Sequence, residues 1–231
     1  MVISALVGIA IDKGVLDGPD QAVAALLPQD LPSEPDPRMR WLTIGHLLSM
    51  QAGLASTSGP QYGAWVTSRN WVRTALARPF EDAPGGRMIY STGSPHLLSA
   101  ILTRLTDRSM LQLARDWLGP LDELTITAWT RDPQGVYLGG NEMAMSPRSL
   151  LAFGELYRRG GVIASGQRLL SRAWIEASWQ LRTQSPWTGD GYSYGWFLTE
   201  LAGEQVDYGW GYGGPRRHPR TPRSRDDRPR H

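Results

Sequence analysis

The 231-residue sequence contains no cysteine. That absence excludes disulfides, thiolate metal sites and a thiol nucleophile. Lysine is almost as scarce, with Lys13 alone against 23 arginines, which we read as base-composition bias in the gene. No run is long enough to cross a bilayer: the longest apolar stretch, residues 1–11, already contains Ser4 and Gly8. The same stretch lacks the basic start and small-residue cleavage site of a secretory leader. As written the chain reads as cytoplasmic, while a longer gene product could be secreted or periplasmic. There is no Gly-x-Ser-x-Gly elbow, which speaks against an α/β-hydrolase. The four histidines, His46, His96, His218 and His231, have no metal-ligand spacing with one another or with a carboxylate on a helix face. No metal and no cofactor is expected, and no internal repeat is present.

What is present describes a globular protein. Hydrophobic residues make up 41% and charged residues 20%, enough for one large domain or two small ones with a core. Charge is unevenly spread. Residues 215–231 carry +5 and no hydrophobic side chain, while the other 214 residues carry −3. The basic character belongs to this end of the chain, so it is no argument for a nucleic-acid partner. The expected organisation is one domain over residues 1–214 and a disordered Arg/Pro-rich tail over 215–231, which we read as out of frame.

Helix signals fill the first two-thirds. Residues 1–13 are apolar on nearly all sides and stop at Gly14, as a fully buried helix would. Thr43 caps a helix with Ile44, Leu47 and Leu48 inward; Trp71, Val72, Ala75 and Leu76 mark another. Ser109, Ser146-Pro147 and Ser171 are further helix starts. Residues 126–129 and 135–138 read as short extended pieces around an Asp132-Pro133-Gln134-Gly135 turn. Strands dominate only late: residues 192–201 and 205–210 flank Ala202-Gly203-Glu204 as a hairpin.

The most informative stretch is residues 84–96, Pro-Gly-Gly-Arg-Met-Ile-Tyr-Ser-Thr-Gly-Ser-Pro-His. It ends a Pro-Gly turn on Tyr90 and leads into a helix for which Ser94 is the expected cap and Pro95 the first residue. An apolar stripe of Leu97, Leu98, Ile101, Leu102 and Leu105 follows. A tyrosine on a short loop between two rigid elements can be aimed at a cleft and can move protons there; it can equally be an ordinary loop residue. Trp65, Trp129, Trp187 and Trp196 could line an apolar pocket or pack a core. Asp132 and Glu142 are candidate cleft carboxylates, with a turn and a helix start as their structural roles. His46 and His96 read as structural residues near helix starts.

Five segments together resemble the serine β-lactamase and penicillin-recognising family, especially its class C-like branch of esterases and amide hydrolases such as 6-aminohexanoate-dimer hydrolase. Residues 4–14 resemble the buried helix that follows the family nucleophile. Residues 42–54 are similar to its Ile-Thr-Ile-Arg-His-Leu-Leu segment. Residues 84–92 resemble the turn into the second motif, Tyr-x-Asn. Residues 141–148 are similar to the Gly-Gly-Leu-x-x-Ser helix start, and residues 208–214 lie where the third motif, Lys-Thr-Gly or His-x-Gly, begins.

The resemblance implies a β-lactamase/DD-peptidase-like fold of the α/β (α+β) class, here mainly its helical domain plus a partial antiparallel sheet of about two strands. It implies hydrolysis of a small ester, amide or lactam through an acyl-enzyme, with no nucleic-acid and no membrane partner. In the family, a serine of Ser-x-x-Lys attacks the carbonyl, and the lysine and the second-motif tyrosine handle the proton. Carried over, Tyr90 is the proton shuttle. Thr92, Trp210, Gly211 and Gly213 are the substrate-binding positions, the glycines approaching the oxyanion. Thr92 stands where the family has Asn, and Trp210 where it has Lys or His. The sequence holds no Ser-x-x-Lys, since Ala10 stands three residues before Lys13. The nucleophile is expected upstream of Met1 and the chain as written is expected to be inactive. The alternative is a non-catalytic, degenerate family member or a helical interaction domain. A partial sheet further implies exposed apolar surface and low stability.

Overall fold

The computed structural model describes residues 1–121, 123–211 and 214–219. Its helices are α1 (Val2–Asp12), α2 (Val23–Leu26), α3 (Ile44–Leu48), α4 (Tyr62–Val66), α5 (Trp71–Leu76), α6 (Gly93–Thr106), α7 (Met110–Trp117), α8 (Pro147–Arg158) and α9 (Arg172–Ser178). Two antiparallel sheets accompany them. One joins β1 (Ile126–Trp129) to β2 (Met143–Met145). The other runs β3 (Thr183–Gln184), β4 (Gly191–Tyr192), β5 (Phe197–Leu201), β6 (Glu204–Gly211) and β7 (Gly214–Pro219) in chain order.

Helix α1 is buried from Val2 to Ala10, as an all-round apolar sequence requires. It packs on α6 and α7, and one continuous core joins these helices to α8, α9 and the inner face of β5. At the centre of that core, Trp196 stacks on Phe153 and tilts against Tyr157, 4.7 Å between centroids. Burial pushes the Tyr157 phenol up to about 12, against the opposing pull of Trp196, Ser178, Ser4 and Trp174 around it. The serine starts behave as expected. Ser109, Ser146 and Ser171 each accept a backbone N–H from the first turn of α7, α8 and α9.

The structure corrects several local expectations. Helix α6 begins at Gly93, with Thr92 as its cap residue. Ser94 and Pro95 therefore lie inside the first turn, because Thr57 Oγ1 accepts the Gly93 N–H and replaces a local cap. The stretch 135–138 forms only a bridge, Arg131 to Tyr137; the strand partner of β1 is β2, in the segment expected to open a helix. Residues 192–201 do not make one strand. Gly195, at φ +84, breaks the run, so β4 ends at Tyr192 and β5 starts at Phe197. Leu201 pairs directly with Glu204, which puts Glu204 in β6 and leaves Ala202-Gly203 as a two-residue turn with positive φ at both positions.

The larger sheet has five strands where about two were expected. Strands β3 and β4 are two residues each and carry no apolar run, so their pairing leaves no periodic signal. Strand β7 pairs with β6 from Val206↔Pro219 to Gly211↔Gly214. Main-chain groups suffice for such an edge pairing, so a segment without apolar side chains can run along the sheet past the expected boundary at residue 214. Residues 220–231 lie outside the described residues. Among the described residues no helix is long and apolar enough to cross a membrane, and no group of three or more His, Asp or Glu side chains could hold a metal ion.

Candidate active site

Tyr90 is placed by two neighbouring segments of chain. Residues 50–58 follow α3; residues 79–92 run beside them into α6. At the turn, Gln51 Nε2 donates to the carbonyls of Gly85 and Gly86, at 3.0 and 2.7 Å, while the Gly85 N–H donates to the Gln51 carbonyl at 2.9 Å. The Ile89 N–H donates to the Met50 carbonyl at 2.8 Å. Next comes a ladder of hydroxyls. Ser56 Oγ donates to the Tyr90 carbonyl at 2.7 Å. Thr57 Oγ1 and Ser91 Oγ lie 3.1 Å apart, and Ser91 Oγ accepts the Thr57 N–H. Ser58 Oγ accepts the Thr92 N–H and bonds Thr92 Oγ1, both at 2.8 Å. Three consecutive hydroxyl residues thus fix the three consecutive residues Tyr90, Ser91 and Thr92. The Thr57 and Gly93 N–H groups that the ladder satisfies lie in buried bonds, where a donor without a partner is costly.

His46 supports the same frame from behind. Its backbone N–H donates to Thr43 Oγ1, and its ring Nδ1 accepts the Thr43 N–H, a reciprocal cap on α3. Burial holds the ring below the usual histidine range, against the opposing pull of the Trp41 carbonyl and the Asp20 charge. His96, on α6, is fully buried. Its Nε2 lies 3.1 Å from Asp132 Oδ2, and Trp65 and Trp71 pack against the ring. Asp132 Oδ1 also accepts the Gln134 and Val136 N–H groups. The turn role expected for Asp132 is present, and the same carboxylate ties the turn to α6. Glu142 is exposed and precedes β2.

The Tyr90 ring leaves this frame for an aromatic surround. It meets Trp187 edge-on at 6.2 Å and Tyr192 at 6.4 Å. Below it, Met50, Met88, Tyr192, Phe197 and Tyr208 form a small apolar cluster separate from the main core. Burial alone raises the Tyr90 phenol above its ordinary value. Tyr192, deeper, is raised well above it by burial and by Tyr90 beside it. A phenol raised in this way is protonated at neutral pH, so its O–H can donate a hydrogen bond or a proton.

The substrate-binding expectations fall in different places. Trp210 is half exposed and tilts against Phe197 at 5.9 Å, so it joins the aromatic cluster of Tyr90. Thr92 does not enter that cluster: Ser58 holds its hydroxyl, and a Cβ at Gly140 would overlap its methyl group. Gly211 ends β6, paired with Gly214. Gly213 lies outside the described residues. Of the four tryptophans weighed as pocket lining, Trp65, Trp129 and Trp196 are buried in packing, and only Trp187 stands beside Tyr90. The start of α1 reaches the same strand: a Cβ at Gly209 would overlap the Met1 thioether. Sequence reasoning missed Ser56, Thr57 and Ser58; the run of three hydroxyl residues just before a helix is the signal that could have drawn attention to them.

The Beta-lactamase family model matches residues 1–221. The chain belongs to the Beta-lactamase family. Solved structures place this member within a β-lactamase/DD-peptidase-like fold. A Bacillus anthracis protein assigned as a 6-aminohexanoate-dimer hydrolase superposes with a TM-score of 0.72 at 14% identity, over 91% of this chain and 59% of its own. A D-stereospecific amidohydrolase from Streptomyces gives 0.69 at 19% identity, over 92% and 73%. An octameric penicillin-binding protein homologue from Pyrococcus abyssi gives 0.65 at 19% identity, over 90% and 53%. The chain therefore spans about half to three-quarters of these relatives. No curated protein sequence matches it. The segments by which this Beta-lactamase-family chain resembled the family sit where the fold needs them: the buried α1, the frame of residues 42–54, and the turn that delivers Tyr90.

Proposed function

We propose that this site belongs to an acyl-transfer hydrolase of small esters, amides or lactams, in which Tyr90 handles the proton. The observation that carries the reading is the Tyr90 phenol itself. It is fixed by a hydroxyl ladder, drawn out of water, and kept protonated by burial. Such a group suits protonation of a leaving alkoxide or amide nitrogen as the tetrahedral intermediate breaks down. It does not suit activation of a nucleophile, because a raised phenol is a poor proton acceptor until a cation lowers it. The family supplies that cation from Ser-x-x-Lys, and residues 1–231 contain no such motif. Tyr90 in this chain is therefore half of a machine, competent as an acid and lacking the partner that would recharge it as a base. The same fact favours a non-catalytic role for residues 1–231 on their own.

The test uses p-nitrophenyl acetate and nitrocefin. The 231-residue chain alone is expected to turn over neither. The same chain extended at its N-terminus by a helical segment carrying Ser-x-x-Lys in register with α1 is expected to hydrolyse the ester. Tyr90→Phe in that extended protein should lower kcat by roughly 10²-fold or more, the range of a lost general acid–base. An extended protein that stays inert, or one indifferent to Tyr90→Phe, would sink the reading.

A further inference from the structure

Two exposed tryptophans stand over the Tyr90 cluster. Trp187 is 68% exposed and Trp210 51% exposed, although both are among the largest apolar side chains available to a core. Their exposure is not the accident of a slack loop. Residues 185–190, which carry Trp187, are closed by their own hydrogen bonds. Ser185 Oγ accepts the N–H groups of Trp187 and Thr188, the Ser185 N–H donates to the Asp190 carbonyl, and the Gly189 N–H donates to the Ser185 carbonyl. The loop is also pinned to the sheet, because the Tyr208 hydroxyl donates to the Asp190 carboxylate. Trp210 sits two residues further along β6 from Tyr208, on the same face, and leans on Phe197. The ring contacts around Tyr90 are edge-on, about 80° to Trp187 and 76° to Tyr192, the arrangement in which one more ring finds both π-faces and ring edges to meet.

We infer that Trp187 is a specificity-determining residue that selects a substrate whose acyl or leaving group is an aromatic ring. This rests on the hydrolase reading above and adds the substrate class. The edge-on rings around Tyr90 favour an aromatic group over an aliphatic one of equal size. Trp187 lies against Tyr90, and Trp210 leans on Phe197 in the same aromatic cluster.

Binding tests this without requiring turnover. Phenylacetamide and cyclohexylacetamide have the same number of heavy atoms and the same polar end. Equilibrium dialysis or saturation-transfer NMR on the 231-residue chain should show phenylacetamide binding roughly three- to tenfold more tightly than cyclohexylacetamide, the worth of an aromatic pair. Trp187→Ala, a surface change checked for folding by circular dichroism, should bring the two amides to equal affinity, and Trp187→Phe should keep the preference. Equal binding by the unmodified chain, no binding of either amide, or a preference that survives Trp187→Ala overturns the inference. Tyr90→Phe separates the two ideas, since it keeps a ring and should keep the preference while removing hydrolysis from the extended protein. A preference kept in an extended protein that never turns over overturns the hydrolase reading alone; hydrolysis without the preference overturns only the aromatic specificity.

Discussion

Tyr90 stands between two loops of different build. On one side, residues 79–92 are tied to residues 50–58 by side-chain and main-chain bonds that span more than thirty residues of sequence. Of the partners in the hydroxyl ladder, Thr57 is almost wholly inaccessible and Ser56 and Ser58 are half-buried. On the other side, residues 185–190 are tied mainly to themselves, with one long-range anchor from Tyr208 to Asp190. The first loop is part of the scaffold and the second is an addition to it. A buried bond that is lost leaves a main-chain group without water, whereas a bond lost at an exposed loop is replaced by solvent. The 79–92 side of Tyr90 is therefore the costly side to alter, and the 185–190 side can change at less cost to the fold.

This contrast orders the expected effects. The largest should come from behind the first loop, where a Cβ at Gly139 would overlap the Pro95 carbonyl in the first turn of α6. Gly139→Ala should cost on the order of 3 kcal/mol in urea unfolding, because backbone must move against backbone; an effect below about 1 kcal/mol would mean that this packing is slack. Thr57→Val comes next. It keeps the shape of Thr57 and removes the acceptor for the Gly93 N–H together with the contact to Ser91. A loss of about 1–3 kcal/mol is expected, the penalty of a buried donor left alone. Across the site, Tyr208→Phe should cost only about 0.5–1.5 kcal/mol while increasing the acrylamide quenching of Trp187. If it destabilised the protein as much as Thr57→Val, the two loops would not differ as described.

The smallest effect is read as a pH dependence of the frame. Burial holds His46 below the usual 6.5 in the folded state, so the unfolded chain takes up the proton first as pH falls. Stability is full above 6.5, and falls as pH drops from 6.5 through the lower folded value. Burial is the cause, and in the folded frame the ring Nδ1 accepts the Thr43 N–H. His46→Gln keeps a third-position acceptor and does not titrate, so the melting temperature of that variant should be flatter than that of the parent between pH 8 and 5.5.

Much of the scaffold was legible because its causes are local. Ser109, Ser146 and Ser171 are caps by chemistry that acts over three residues, and the apolar sequence of α1 leaves it no stable place but the interior. The turn at residues 84–86 and the position of Tyr90 after it were readable for the same reason. What escaped depended on partners far along the chain. Ser94 is a good cap by sequence, yet Thr57 takes the cap role from 36 residues away. Strands β3 and β4 are too short to carry a period.

The sequence by itself determined the family, the helical frame and the presence of a tyrosine, Tyr90, after the turn at residues 84–86. It also determined that Ser-x-x-Lys is not among these 231 residues. Only the tertiary structure decided what surrounds that tyrosine. Trp65, Trp129, Trp187 and Trp196 are alike as sequence, and burial alone separated three packing residues from the one that faces Tyr90. Thr92, one residue from a motif match, turned away because Ser58 was there to hold its hydroxyl. Side-chain chemistry is written in the chain, but whether it is spent on packing, on a frame or on a substrate depends on which distant residues the fold brings beside it.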